Sequence, residues 1–219
     1  MRHYVKLLLF LLLSFFIVGC GKGITPSQSD SLQSLASVQV REYNGKDLSS
    51  ILAFRENSIK GPQWIDIGSY WLKVDGLVDH PRDFRYGEVL ENTMYTKVVT
   101  LNCVEGWSVD ILWEGVLLKD ILDIVKVNPD ANTVIFYAYD GYTTSLPLAD
   151  ILDKNMILAY KMNGVVIPPE RGFPFQLVAE DKLGYKWAKW ITRMELSSNS
   201  EYKGYWEQRG YDNEADVNN

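Results

Sequence analysis

Cysteine and histidine are scarce in this chain of 219 residues, which holds only Cys20, Cys103, His3 and His80. Zinc sites built from clustered Cys and His are therefore excluded. No Gly-x-Ser-x-Gly elbow, Walker loop or Gly-x-Gly-x-x-Gly fingerprint occurs, which removes the commonest motif-borne hydrolase, nucleotide and dinucleotide chemistries. Positive charge is also in deficit, with 22 Lys and Arg against 28 Asp and Glu and a net charge of −6. An acidic chain of this kind repels a phosphate backbone, so no nucleic-acid partner is expected. What is abundant is ordinary core material: 47% of residues are apolar, among them seven Trp and thirteen Tyr. Disorder and fibrous folds are excluded, and the length suits one domain or at most two.

The long apolar run, Leu7 to Val18, lies at the N-terminus behind Arg2, His3 and Lys6, and only Ser14 interrupts it. It is too short for a bilayer span of about 20 residues and reads as the core of a signal peptide. Ile17-Val18-Gly19-Cys20 then resembles a bacterial lipobox. The expectation is a cleaved leader over residues 1–19, with Cys20 lipidated on the extracytoplasmic side of the cell envelope and inserted into the membrane through that lipid. The Ser-, Gly- and Gln-rich stretch that follows is read as a flexible tether over residues 20–39, and the folded domain as 40–219. Cys103 is then left with no cysteine to pair with. A lone thiol is either an inert core group or a thiolate kept for chemistry.

Along the domain, alternation and β-branched content predict strands at Tyr70–Gly76, Tyr95–Val104, Thr133–Tyr139, Met156–Met162, Val165–Ile167, Phe175–Ala179 and Trp187–Leu196. Asn163-Gly164 between two of them is a strong hairpin signal. Short helices are predicted at Asp47–Phe54, Arg85–Asn92, Leu117–Val125 and Leu148–Leu152. Strands and short helices without a repeating βαβ order define an α+β fold. Cys103, at the end of a strand, stands where pockets commonly form. Two chemistries remain open on these grounds: a reactive or metal-binding thiolate, or an aromatic platform for an extracellular ligand such as a glycan or peptide.

Local strings go further. Cys103-Val104-Glu105-Gly106-Trp107-Ser108, Trp113-Glu114-Gly115-Val116-Leu117-Leu118, Asp140-Gly141-Tyr142, Ala159 to Gly164, Pro168 to Pro174, Gly184 to Trp190 and Tyr205 to Tyr211 occur in an order that resembles the molybdopterin-binding catalytic domain of the sulfite oxidase family. The resemblance spans roughly residues 55 to 211. It implies a mixed α+β domain that holds molybdenum on a pterin dithiolene and performs oxygen-atom transfer on a small substrate, recharged by an electron-transfer partner in the envelope. Cys103 stands at the position of the thiolate ligand, a soft donor suited to such a metal. Asn57 matches the family's N-terminal cofactor loop, and Arg171 occupies the place of a His or Asn. Lys186 and Lys189 match the cations that hold the cofactor phosphate, and Tyr211 the tyrosine beside the metal. The chain departs from sulfite oxidases in having Ser108 in place of a substrate-binding Arg, Gln176 in place of another Arg, no immunoglobulin-like domain after Tyr211 and no twin-arginine leader. A sulfoxide-like substrate is therefore expected over sulfite. The alternative is a cofactor-free envelope lipoprotein that uses the same cleft to bind a glycan or peptide.

Overall fold

A computed structural model describes residues 28–217; the leader and Cys20 lie outside the described residues. In chain order the elements begin with α1 (Gln28–Val38), the ribbon β1 (Glu42–Tyr43) and β2 (Lys46–Asp47), β3 (Leu72–Gly76), β4 (Arg82–Phe84) and α2 (Tyr86–Leu90). They continue with β5 (Met94–Asn102), β6 (Ser108–Leu117), α3 (Leu118–Val125), β7 (Thr133–Ala138), β8 (Thr143–Pro147) and α4 (Leu148–Asp153). The last strands are β9 (Ile157–Met162), β10 (Val165–Val166), β11 (Gln176–Val178) and β12 (Ile191–Ser197). Single 3-10 turns fall at Pro169–Arg171, Gly184–Lys186 and Glu207–Arg209. This is the α+β architecture expected.

The strands form two sheets of five. One runs β10-β9-β6-β5 with β11 also pairing β9; the other runs β4-β3-β12-β7-β8. Every pairing is antiparallel except that of β12 with β3. The core residues Trp113, Ile111, Phe136, Leu72 and Ile191 are fully buried, and burial of such side chains is the main force holding the fold. Helix α3 shows how sequence dictates placement: Leu118, Ile121, Leu122 and Val125 fall at one-face spacing, and all four are buried. Gly115 is required where β6 crosses β9, since a Cβ there would lie 2.2 Å from the Leu158 carbonyl oxygen. Asn163 and Gly164, both at positive φ, close the β9–β10 hairpin.

Three expectations are corrected. The segment read as a tether is, over Gln28–Val38, helix α1. Leu32, Leu35 and Ala36 fall at helical spacing and pack on the core, so the described fold begins before residue 40. Asp47–Phe54 is not a helix: Asp47 ends β2, and Leu48 and Ser49 donate to the carbonyls of Arg41 and Asp110 as an irregular strap. Strands β6 and β8 are present where none was predicted. Among the described residues no helix is long and apolar enough to cross a membrane.

Candidate functional site

Strand β5 delivers Cys103 into the tight connection to β6. Its N–H donates to the Trp107 carbonyl at 2.9 Å, and its carbonyl accepts the Gly106 N–H at 3.0 Å, with Gly106 at φ +81°. A second loop presses on this turn: Asn102 bridges Leu183, and Gly184 is so near that a Cβ there would lie 3.6 Å from the Cys103 Cα. The thiol is free and 8% exposed. Burial pushes its pKa up; the Glu105 carboxylate adds to this, whereas the Glu105 N–H, Arg55 and Asn57 act against it. Asn57 Nδ2 approaches Sγ to 3.8 Å. A thiol held protonated in this way is deprotonated when a metal ion displaces the proton.

Cys103 stands on the partition between two cavities, and Asn57, Gly184, Trp187 and Lys189 also line both. The first, about 740 Å³ and open to solvent, is walled by Tyr142, Tyr185, Trp206 and Tyr211 and carries Glu105 and Asp140. The second, about 410 Å³, contains Arg55, Trp107, Glu170, Arg171 and Gln176.

Of the cations Arg171 and Lys189 that line the second cavity, only Lys189 has a carboxylate within ion-pair distance among the described residues. Arg171 is buried, donating from Nε to the Ile51 carbonyl at 3.0 Å and stacking 5.2 Å from the Phe54 ring. Among the described residues no carboxylate forms a salt bridge with it, and burial lowers its pKa despite Glu56 and Glu170. Lys189 lies over the Trp190 ring at 4.5 Å, with Glu56 Oε1 at 3.5 Å. Burial depresses its pKa too, against the pull of Glu56. Trp190 has φ +52°, an uncommon conformation for a bulky residue, stabilised by an Nε1 bond to the Pro169 carbonyl at 2.7 Å. Gln176 Oε1 and Glu170 Oε2 are buried without a partner.

These features test the fit of the expected cofactor. A buried guanidinium without a counterion calls for an anion, and buried polar atoms without partners call for a hydrogen-bonding ligand. Among the described residues no group of three or more His, Cys, Asp or Glu side chains could hold a metal. A metal at Cys103 must therefore bring its other ligands with it. Phosphate, pterin and dithiolene meet all of these demands, so the residues fit molybdopterin.

The structure thus brings Cys103, Asn57, Arg171 and Lys189 together, although they come from four separate segments. Tyr211 joins the rim of the first cavity, 39% exposed and packed edge-on to Tyr185 at 5.2 Å and tilted against Trp206 at 5.1 Å. Lys186 does not join them. It lines neither cavity and is fully buried against Glu207, with Nζ 2.6 Å from Oε1. The expectation that it faces the cofactor is corrected: a side chain read as part of a cation pair beside a cavity is consumed by a carboxylate 21 positions on. Sequence reading missed Arg55, Glu56, Asp140 and Trp206. The Asp140-Gly141 turn marks one of them, because its backbone bend buries the Asp140 carboxylate to 3% and directs Oδ1 to the Tyr142 N–H at 2.9 Å.

Comparison with known proteins agrees with this geometry. A family described as the oxidoreductase molybdopterin-binding domain matches residues 59–206. The uncharacterized oxidoreductase YuiH of Bacillus subtilis (strain 168) is 37% identical over 151 residues, 68% of this chain and 76% of its own length. The putative protein-methionine-sulfoxide reductase subunit YedZ1 of Azospira oryzae is 35% identical over 147 residues, 67% of this chain but only 56% of its own. Among solved structures, the sulfane dehydrogenase SoxCD from Paracoccus pantotrophus shares the fold with a TM-score of 0.63 at 20% identity, over 88% of this chain and 57% of that one. The family match thus covers Cys103, both sheets and most of the lining of the two cavities, with Arg55, Asn57 and Tyr211 outside it, and the chain belongs to the molybdopterin-binding oxidoreductases of the sulfite oxidase type.

Proposed function

We propose that this chain reduces small neutral sulfoxides, with the cofactor seated in the second cavity and substrate entering by the first. The observation that carries the reading is the position of Cys103, on the partition between a cation-bearing cavity and an aromatic cleft. Cys103 ligates the metal as thiolate, Arg171 and Lys189 hold the anionic end of the pterin, and Asn57 lines both cavities beside the thiol. When bound, the cofactor supplies two-electron oxygen-atom transfer. The balance is sulfoxide plus two electrons and two protons giving sulfide and water, with the electrons arriving from a redox partner.

The substrate class follows from the cleft. Its charged lining is Glu105, Asp140 and Lys189; Ser108, expected to set the charge of this mouth, lines neither cavity. A dianion such as sulfite needs charge-assisted partners to offset its desolvation, whereas a neutral sulfoxide needs an apolar wall and one donor. Tyr142, Tyr185 and Trp206 provide the wall, and sulfur packs well on aromatic rings. The Tyr211 hydroxyl donates to the substrate oxygen. The relative named as a putative protein-methionine-sulfoxide reductase subunit supports a sulfoxide, and the word subunit in that name supports a partner chain, which would supply the electrons. We further assign the chain to the cell envelope, anchored by a lipid on Cys20.

Protein purified from a host that makes the cofactor should carry molybdenum and pterin. It should reduce dimethyl sulfoxide with a reduced viologen dye at a higher kcat/KM than it oxidises sulfite with ferricyanide. The reverse order refutes the substrate reading. Absence of molybdenum and pterin refutes the whole and favours the glycan- or peptide-binding alternative. Cys103→Ser should lose metal and turnover while melting within about 3 °C of the parent stripped of its cofactor, since the volume change is small.

A further inference from the structure

Behind the aromatic wall lies a buried ion pair that holding the cofactor does not explain. Lys186 Nζ donates to Glu207 Oε1 at 2.6 Å, to the Ser145 carbonyl at 3.1 Å and to Asn213 Oδ1 at 3.2 Å. An ammonium has three donors, and all three are used on protein acceptors. Thr144 Oγ1 donates to the same Glu207 oxygen at 2.7 Å. Both charged side chains are fully buried. Burial lowers the pKa of Lys186 against the pull of Glu207.

The pair joins the turn at Gly184–Lys186 and strand β8 to the C-terminal segment that carries the wall. Glu207 follows Trp206 directly, and the Tyr211 N–H returns to the Trp206 carbonyl at 3.2 Å. The segment is seated closely: Tyr205 N–H donates to the Thr143 carbonyl at 2.8 Å, and a Cβ on Gly204 would lie 2.2 Å from that oxygen. Tyr185 reinforces it with a bond from Oη to the Asp212 carbonyl at 2.8 Å. A buried ion pair adds little net stability over apolar residues of similar size, but it fixes one geometry, because each charge tolerates few other positions.

We propose that the Lys186–Glu207 pair is a positioning device that fixes Trp206 and Tyr211 as the wall of the substrate cleft, and that Lys186 does not hold the cofactor in this chain. The assignment rests on reading the first cavity as the substrate's. It separates two lysines three positions apart: Lys189 belongs to the cofactor and Lys186 to the wall.

The test compares holoprotein of the parent, the K186M/E207L double variant, E207Q and K189M. Pterin and molybdenum per chain, melting temperature, and kcat/KM for methyl phenyl sulfoxide and for dimethyl sulfoxide are measured for each. K186M/E207L should keep its pterin and melt near the parent, since the charges leave together. Its preference for the aryl over the dimethyl substrate should fall about fivefold, the size of a lost aromatic contact. K189M should lose pterin. E207Q keeps the shape and the hydrogen bonds, so its preference should fall less than twofold; this variant decides the matter if the double variant fails to fold, because a fall of fivefold or more in E207Q contradicts a geometric role. Loss of pterin from K186M/E207L would return Lys186 to the cofactor and overturn the assignment. So would retained pterin with an unchanged aryl preference. A parent free of pterin would overturn the functional reading, and this assignment with it.

Discussion

Asn163 offers a test of how the fold supports the cofactor cavity from a distance. Its side chain is fully buried in the hairpin between β9 and β10. Oδ1 accepts the Leu112 N–H at 3.0 Å, and Nδ2 donates to the Ser49 carbonyl at 2.8 Å and to Gln39 Oε1 at 3.2 Å. Asn163→Ala would leave the Leu112 N–H buried without an acceptor, at about 1–3 kcal/mol, and remove two donated bonds worth about 0.5–1.5 kcal/mol each. Alanine at φ +49° adds about 1 kcal/mol. Because the losses share one site they do not fully add, and about 4 kcal/mol is expected. For a domain of this size that lowers the melting temperature by about 8–16 °C. Asn163→Gly, free of the left-handed penalty, should recover about 1 kcal/mol of it. The effect should also reach the site. Gln39 Oε1 accepts the Ile51 N–H at 2.9 Å, and the Ile51 carbonyl accepts Arg171 Nε at 3.0 Å. Thermal unfolding and pterin retention during dialysis measure the two consequences. An Asn163→Ala protein melting within about 3 °C of the parent would refute the reasoning.

Two further outcomes are expected. Asp75 is held below its ordinary value of 3.8 by Arg193 and Lys73, which outweigh the opposing effect of burial. A carboxyl depressed on folding contributes stability that is complete above its unfolded value and is lost as pH falls through the folded one. Asp75→Asn should therefore flatten the loss of stability below about pH 4 in urea unfolding, and an unchanged acid limb would contradict this. Cys20→Ala should abolish labelling of the chain by radioactive palmitate and release it from the membrane fraction; retained labelling would rule out the lipid at this residue.

What could be read from sequence depended on how local each signal was. The turn at Asn163-Gly164, the stripe on α3 and the placement of Cys103 at a strand end are properties of neighbouring residues, and each is found as expected. Strand β6 escaped because Ile111-Leu112-Trp113 and Val116 are buried without alternation, both faces of the strand being covered there. Strand β8 escaped because its Thr144 and Ser145 are polar yet buried, satisfied by Glu207 and by the Tyr202 carbonyl. Helix α1 was hidden by its many serines, which favour turns when read alone. Lys186 and Lys189 look equivalent in the sequence. Only the fold supplies Glu207 to one and the cavity to the other.

The place of β12 in its sheet carries a consequence for how the chain reaches this state. It lies between β3 and β7, and its residue Arg193 faces Lys73 across more than half of the sequence. The middle of the sheet is therefore supplied by the last of the described strands to be synthesised. Until residues 191–197 are available, β3 and β7 each present an unpaired edge, open to pairing with another chain. Such long-range closure slows folding and leaves the incomplete chain prone to aggregation. A truncation just before Ile191 would do more than shorten a tail: it would split the second sheet into two hairpins, β3–β4 and β7–β8, neither of which has the strands to stand alone.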